Sequence, residues 1–220
     1  MKIEAIRFER LTKMIGQPSK GTMTQVWSNL ATTHGRKSVM NLDITEEQLD
    51  AETGRQAQII FPLLKNYMKG HEKWALDFGC GYGRFSGYLA DMMEVYVSAY
   101  DPCQELIDAA TPHADVFYYG PDARSWDSGT YDIIFAAMVM GDPHSDPEDM
   151  ARKLVTLLDR RGLMVIIDHM PETQPLNKWW QWRPVKFYED LFFKNGVALL
   201  KIGSVMQLEN EVSIMVGRRF

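Results

Sequence analysis

Apolar positions fall into two patterns along the chain. Before residue 73 they are sparse and helical in spacing. In EEQLDAETGRQAQIIFPLLKNYMK, Leu49, Ile59, Ile60, Leu63, Leu64 and Tyr67 recur at helical intervals. Pro62 interrupts this stretch and predicts a helix start or a kink there. Residues 12–42 carry Gly16, Pro18, Gly21 and Gly35, which predicts an irregular or mobile lid. From residue 73 short apolar runs alternate with amphipathic segments. KWALDF, EVYVSAY, ADVFYY, YDIIFAAMVM and GLMVIID all end near Gly or Asp. Continuous runs of this kind suit strands buried on both faces.

Helices are predicted between these runs, most clearly over residues 145–160. Ser145 or Asp146 can cap, Pro147 fits the first turn, and Glu148 and Asp149 sit at the positive end of the dipole. Met150, Leu154, Leu157 and Leu158 make one apolar face, and Arg160, Arg161 and Gly162 are expected to end the helix. Strand–helix alternation implies a parallel, helix-covered sheet. The last stretch changes the rhythm. VKFYEDLFFKNG reads as a helix stopped by Gly196. VALLKIGSVMQ and EVSIMVGRR follow with only LEN between them, so they form an antiparallel hairpin.

The length of 220 residues fits one domain with an extension. A 45% hydrophobic, 24% charged composition excludes disorder and disulfide scaffolds. The net charge of −5 argues against nucleic acid as the main partner. Cys80 and Cys103 are too isolated for a framework or a zinc site and read as reduced thiols. No run reaches the ~20 apolar residues of a membrane span. These readings together predict a cytoplasmic protein that does not enter membranes.

The chemistry-bearing segment is ALDFGCGYGR, residues 75–84. A buried strand runs into Gly79, Gly81 and Gly83, and a helix follows. Glycines here permit a tight turn and close approach of the backbone to a ligand. The next run ends in Asp101, 22 residues past Gly79, where a strand-end carboxylate can meet ribose hydroxyls. Asp101 could also serve as a plain helix cap before Pro102. A dehydrogenase loop needs a third glycine at position 84, and residue 84 is Arg. Asp77 suits a cationic ammonium group. A nucleoside cofactor carrying an amino acid fits these residues better than a dinucleotide.

In these motifs the chain resembles class I S-adenosylmethionine-dependent methyltransferases. The resemblance covers roughly residues 55–220. It rests on LDFGCGYGR, VSAYDPCQELIDAA, GPDARSW, YDIIFAAMVM and RKLVTLLDRRGLMVIID, in that order. It implies a Rossmann-like α/β fold: a seven-stranded, mostly parallel sheet with a C-terminal antiparallel hairpin and helices on both faces. Residues 1–54 would be an N-terminal helical or lid extension, and 55–220 the S-adenosylmethionine-binding domain. The resemblance implies that Asp77, Gly79, Cys80 and Gly81 line the methionine end of the cofactor and that Gly83 allows the turn. Asp101 would take the ribose hydroxyls, and Pro102 would pack near adenine. Asp122 would accept the adenine amino group with Ala123 beside it. Ala137 and Met138 would pass under the sulfonium.

The implied reaction is methyl transfer to a small-molecule hydroxyl or amine, with S-adenosylhomocysteine as product. Methylation of a protein or RNA, or cofactor binding without catalysis, are the alternatives. A hydroxyl or amine acceptor needs a base. His144 in the loop after the fourth strand is the leading candidate, with Asp142 and His169 as competitors. Trp179, Trp180 and Trp182 fall within four residues and supply aromatic walls for an acceptor, a hydrophobic plug or a homodimer contact. Trp27 and His34 would reach the acceptor from the N-terminal lid. The acid spacing demands no metal.

Overall fold

The five apolar runs of residues 73–168 become five parallel strands. In the computed structural model these are β1 (Trp74–Phe78), β2 (Tyr96–Tyr100), β3 (Val116–Tyr119), β4 (Tyr131–Ala137) and β5 (Leu158–Asp168). The structure describes residues 23–40, 42–123, 125–141, 145–171, 181–208 and 210–220. The predicted hairpin is β6 (Val197–Gln207) and β7 (Asn210–Arg219). The sheet order is β3-β2-β1-β4-β5-β7-β6, with β7 antiparallel to both neighbours. The chain works outward from β1 to β3, then crosses back to β4. This reversal opens a crevice at the carboxyl ends of β1 and β4, where open α/β sheets bind ligands.

Strands β1, β4 and β5 are buried on both faces, which is why their sequences run apolar without alternation. Along β4, Ile133 and Phe135 face one layer and Ile134 and Ala136 the other. The first layer is covered by α2 (Glu46–Lys65) and α3 (Ser86–Met93), which bury Ile60, Phe61 and Leu89. The second is covered by α5 (Pro147–Leu157) and α6 (Val185–Lys194), which bury Leu154, Tyr188 and Phe192. Between β2 and β3 lies a five-residue helix, α4 (Gln104–Asp108). Between β3 and β4 the described residues form only a 3-10 turn, Ser125–Asp127. That turn stacks Trp126 on Tyr100 at 3.9 Å. It leaves Trp74, Tyr96 and Phe117 exposed on the neighbouring strands, with Trp74 5.1 Å from Tyr96 and 6.1 Å from Phe117.

Three expectations need correction. Residues 23–39 are helical rather than irregular: α1 (Met23–His34) leads into a 3-10 turn, Gly35–Val39. Val26, Leu30 and Ala31 give α1 a buried stripe, and Gly35 at φ +58° ends it. No helix begins at Pro62. α2 starts at Glu46 and is capped by Thr45, whose hydroxyl accepts the Gln48 amide while the Gln48 side chain accepts the Thr45 amide. Pro62 lies in the last turn on an exposed face, where water can serve the carbonyl it leaves unpaired. α5 stops at Leu157, before the arginines. Leu158 pairs with Tyr131, the register then shifts, and Leu163 rejoins beside Ile133. Arg161 at φ +65° lies inside this excursion. Helix α2 runs unbroken across positions 54 and 55.

Candidate active site

β1 delivers the chain to the crevice, and three glycines turn it into α3. Gly79, Gly81 and Gly83 have φ of +72°, +59° and +76°. Side chains rarely adopt these angles. Space is short as well. A Cβ on Gly79 would stand 2.5 Å from a Val139 methyl, and one on Gly83 would stand 2.6 Å from the Tyr118 ring. The loop is sewn to the end of β2. The amides of Gly79 and Cys80 both donate to the Tyr100 carbonyl, at 2.8 and 3.0 Å. Asp101, the next residue, accepts the Gly81 amide at 2.9 Å and the Cys103 amide at 2.8 Å. Asp101 is therefore not the helix cap, since α4 opens after Cys103.

Two carboxyls lie buried beneath the loop. Asp77 is 3% exposed and accepts the Ser86 hydroxyl at 2.6 Å. Burial is the main cause that raises it to about 7, Ser86 and Arg84 opposing and Asp101 adding to the rise. Burial likewise pushes Asp101 up to about 6, against its two amide donors. Such a pair favours a cationic group or hydroxyl donors nearby. Each Asp101 oxygen already holds one donor and has a second lone pair to offer. Arg84 donates to Gln56 and lies 4.1 Å over the Phe85 ring. Burial lowers its guanidinium to about 10. Both cysteines are buried and held protonated by that burial, Cys103 up to about 12.

Pro102 is exposed beside Asp101. Asp122 is exposed in the turn after β3, and the Ala123 amide closes that turn onto Gly120 at 3.2 Å. Ala137 ends β4. Met138 follows at φ +58°, a conformation costly for a side chain, pinned by its amide donating to Ile167 at 2.7 Å. Asp142 and His144 lie outside the described residues, as do Trp179 and Trp180. His169 follows β5. Its Nδ1 lies 2.7 Å from the Glu211 carbonyl, and its ring meets buried Trp182 edge-on at 5.1 Å. A carbonyl only accepts, so Nδ1 carries the proton and Nε2 is left as the basic nitrogen. Trp27 packs against the Ala31–Cys103–Leu106 cluster, and His34 ends α1 half-buried.

Sequence patterns gave no sign of several contacts. The segment 23–39 folds over the loop ends: Val39 lies against Gly81, and Ser28 donates to Glu105 at 2.5 Å. Arg36 sits 4.7 Å over the Tyr82 ring. Buried Arg183 donates to the Met140 carbonyl at 2.8 Å and to the Gln181 side chain at 2.6 Å. The Gln181 amide donates to Gly141 at 2.7 Å. The chain after β4 is thus tied to the chain before α6. Among these, only Arg183 had a local signal: a charge at the end of an aromatic run.

A family model described as a methyltransferase domain matches residues 24–201. No curated protein matches significantly. Among solved structures, the magnesium protoporphyrin IX methyltransferase of Synechocystis PCC 6803 with bound S-adenosylhomocysteine superposes with a TM-score of 0.69 at 16% identity. The match covers 90% of this chain and 98% of that one. Human N-acetylserotonin methyltransferase in complex with S-adenosylmethionine gives 0.68 at 12% identity, over 95% of this chain and 62% of that one. A putative methyltransferase complexed with the Haloferax volcanii Trm112 activator gives 0.63 at 13%, over 91% and 99%. With most of its length matched by the family model, the chain belongs to the methyltransferase-domain family as a class I S-adenosylmethionine-dependent methyltransferase.

Proposed function

We propose that the chain transfers a methyl group from S-adenosylmethionine to a hydroxyl or amine of a small-molecule acceptor and releases S-adenosylhomocysteine. The observation that carries this is the pair of buried carboxyls, Asp77 and Asp101, under a glycine loop too tight for side chains. The residues fit the cofactor. It brings an ammonium and a ribose diol, and the loop offers acids at two adjacent strand ends. When bound, S-adenosylmethionine supplies a methyl on a sulfonium, already activated for in-line displacement.

The chain's own work is then positioning and proton handling. Asp77 holds the ammonium, directly or through Ser86 or water. Asp101 takes the ribose hydroxyls while keeping Gly81 in place. The backbone of Gly79, Cys80 and Gly81 lies along the amino acid end, and Gly83 lets the chain turn away. Pro102 and Ala123 flank the adenine, and Asp122 accepts its amino group. Ala137 and Met138 form the floor under the reacting carbon. His169 is the general base we assign, because its Nδ1 contact with the Glu211 carbonyl leaves Nε2 as the acceptor nitrogen. His144 and Asp142 remain the sequence-based candidates for that role. Trp27, His34 and Trp182 border the acceptor, and Trp179 and Trp180 remain sequence-based candidates for the same role.

The small-molecule assignment draws on the acidic balance of the chain and on the porphyrin and N-acetylserotonin enzymes that share its fold. No helix among the described residues is long and apolar enough to cross a membrane. The test is calorimetric titration with S-adenosylhomocysteine, using NADH as control, followed by an acceptor screen. Saturable binding of the former alone is expected. Binding of NADH alone would overturn the reading.

A further inference from the structure

One face of the sheet is left uncovered along its β3 edge. Trp74, Tyr96 and Phe117 come from three neighbouring strands, touch through Trp74, and stand 43%, 47% and 43% exposed. They share the face on which Leu76 is buried. The 3-10 turn after β3 covers that face only further along, where Trp126 meets Tyr100. A single exposed apolar side chain is ordinary, but a cluster of aromatic rings marks a surface that something else covers. β3 is the last strand on this side of the sheet and pairs only with β2. Trp74 and Tyr96 open β1 and β2, so the patch lies at the end opposite the glycine loop.

The flank around this edge is acidic. Residues 85–123, which supply α3, β2, α4 and β3, hold seven acids and no lysine or arginine. Asp91, Glu105, Asp108 and Asp122 are exposed. Partners of the first three include His113, Ser28 and Gln104, none of them a permanent cation. The opposite sign lies in residues 1–22, which are outside the described residues. They carry five lysines and arginines against two glutamates, interleaved with Ile3, Ile6, Phe8 and Leu11. They lead into α1, which packs on the same flank: Ala31 lies with Cys103 and Leu106, and Ser28 donates to Glu105. A chain of this length reaches about 33 Å as a helix and about 70 Å extended. Trp74 is only two strands in from the edge, about 10 Å. We propose that residues 1–22 of this chain pass round the β3 edge and cover Trp74, Tyr96 and Phe117, with their basic side chains held against the acidic flank. Apolar side chains of the segment fill the patch, and an arginine can lie over a ring face. Docking there anchors α1 and, through it, Val39 against Gly81. The contact is independent of what occupies the glycine loop.

The test is cross-linking in the full chain. Phe8→Cys is labelled with a benzophenone maleimide and illuminated, and Ile3→Cys is treated in the same way. Cys80 and Cys103 are buried, which confines the label to the new thiol. Mass spectrometry identifies the linked peptides. The expected result is links within one chain to the peptides carrying Trp74, Tyr96 or Phe117. Their yield should fall several-fold as salt is raised from about 0.05 to about 0.5 M. Phe117→Ser, at an exposed position, should lower it as well. Links from both labelled positions to other surfaces, or none at all, would overturn the proposal. Links only between two chains would overturn it too and assign the face to a second copy. A yield indifferent to salt would remove the charge pairing on which the docking depends, and the proposal would fall with it.

Discussion

The carboxylate of Asp101 accepts the backbone amide of Gly81 at 2.9 Å, so the end of β2 holds the loop that leaves β1. One side chain therefore shapes the ligand-binding turn and presents an acid to it. Asp101→Ala should weaken S-adenosylhomocysteine binding by about 1–3 kcal/mol, the worth of a charged hydrogen bond. Titration of wild type and variant measures it. Unchanged affinity would remove Asp101 from the ribose site.

Asp77 and Asp101 make an uncommon pH signature. Both have folded-state values raised above the ordinary carboxyl range, to about 7 and about 6. The folded protein therefore keeps protons that the unfolded chain releases above about pH 4. Stability should fall as pH rises from about 4 to 7, and Asp77→Asn should remove much of that slope. Glu52 and Glu72 act in a lower window. Burial alone would raise them, but Arg55 and the Leu208 amide hold Glu52, and the Lys69 amide and Arg218 hold Glu72, near about 2. Their stabilisation is lost only as pH falls below about 4. Urea midpoints at pH 3, 5 and 8 separate the two effects.

Ligand binding should report the same carboxyls. An ammonium at Asp77 and hydroxyls at Asp101 both favour the charged acid. Titration with S-adenosylhomocysteine at pH 6 should therefore release protons, read as a heat that changes with the ionisation enthalpy of the buffer. A heat independent of buffer would place the ligand away from both acids.

Gly79→Ala meets two obstacles: a left-handed backbone angle and a Val139 methyl 2.5 Å from the new carbon. A loss of about 1–3 kcal/mol in stability is expected, from strain and crowding combined. Adding Val139→Ala relieves only the crowding, so the double variant should recover part of the loss. Full recovery would show that the backbone angle costs nothing.

His169→Ala should lower kcat by about 10²- to 10⁴-fold for a hydroxyl or amine acceptor while leaving S-adenosylhomocysteine affinity intact. An unchanged kcat would move the base to the segment holding Asp142 and His144.

The sheet was legible because strands buried on both faces carry unbroken apolar runs, and its hairpin because only three residues separate VALLKIGSVMQ from EVSIMVGRR. The glycine loop was legible because positive φ leaves few alternatives to Gly at positions 79, 81 and 83. The end of α5 was misread because Leu158 suits a helix face as well as a strand, and its Tyr131 partner lies 27 residues away in sequence. Local spacing could not place Val139 on Gly79, Arg36 on Tyr82 or Arg183 on Met140. These contacts join segments that only the folded sheet brings together.

The short connection between β3 and β4 has an optical consequence. It leaves Trp74 exposed among the described residues and seals Trp126 against Tyr100. The Tyr100 carbonyl holds Gly79 and Cys80, and the next residue is Asp101. Once the other five of the six tryptophans are replaced by Phe, emission from Trp126 becomes a native reporter of what happens at the end of β2, without any attached dye.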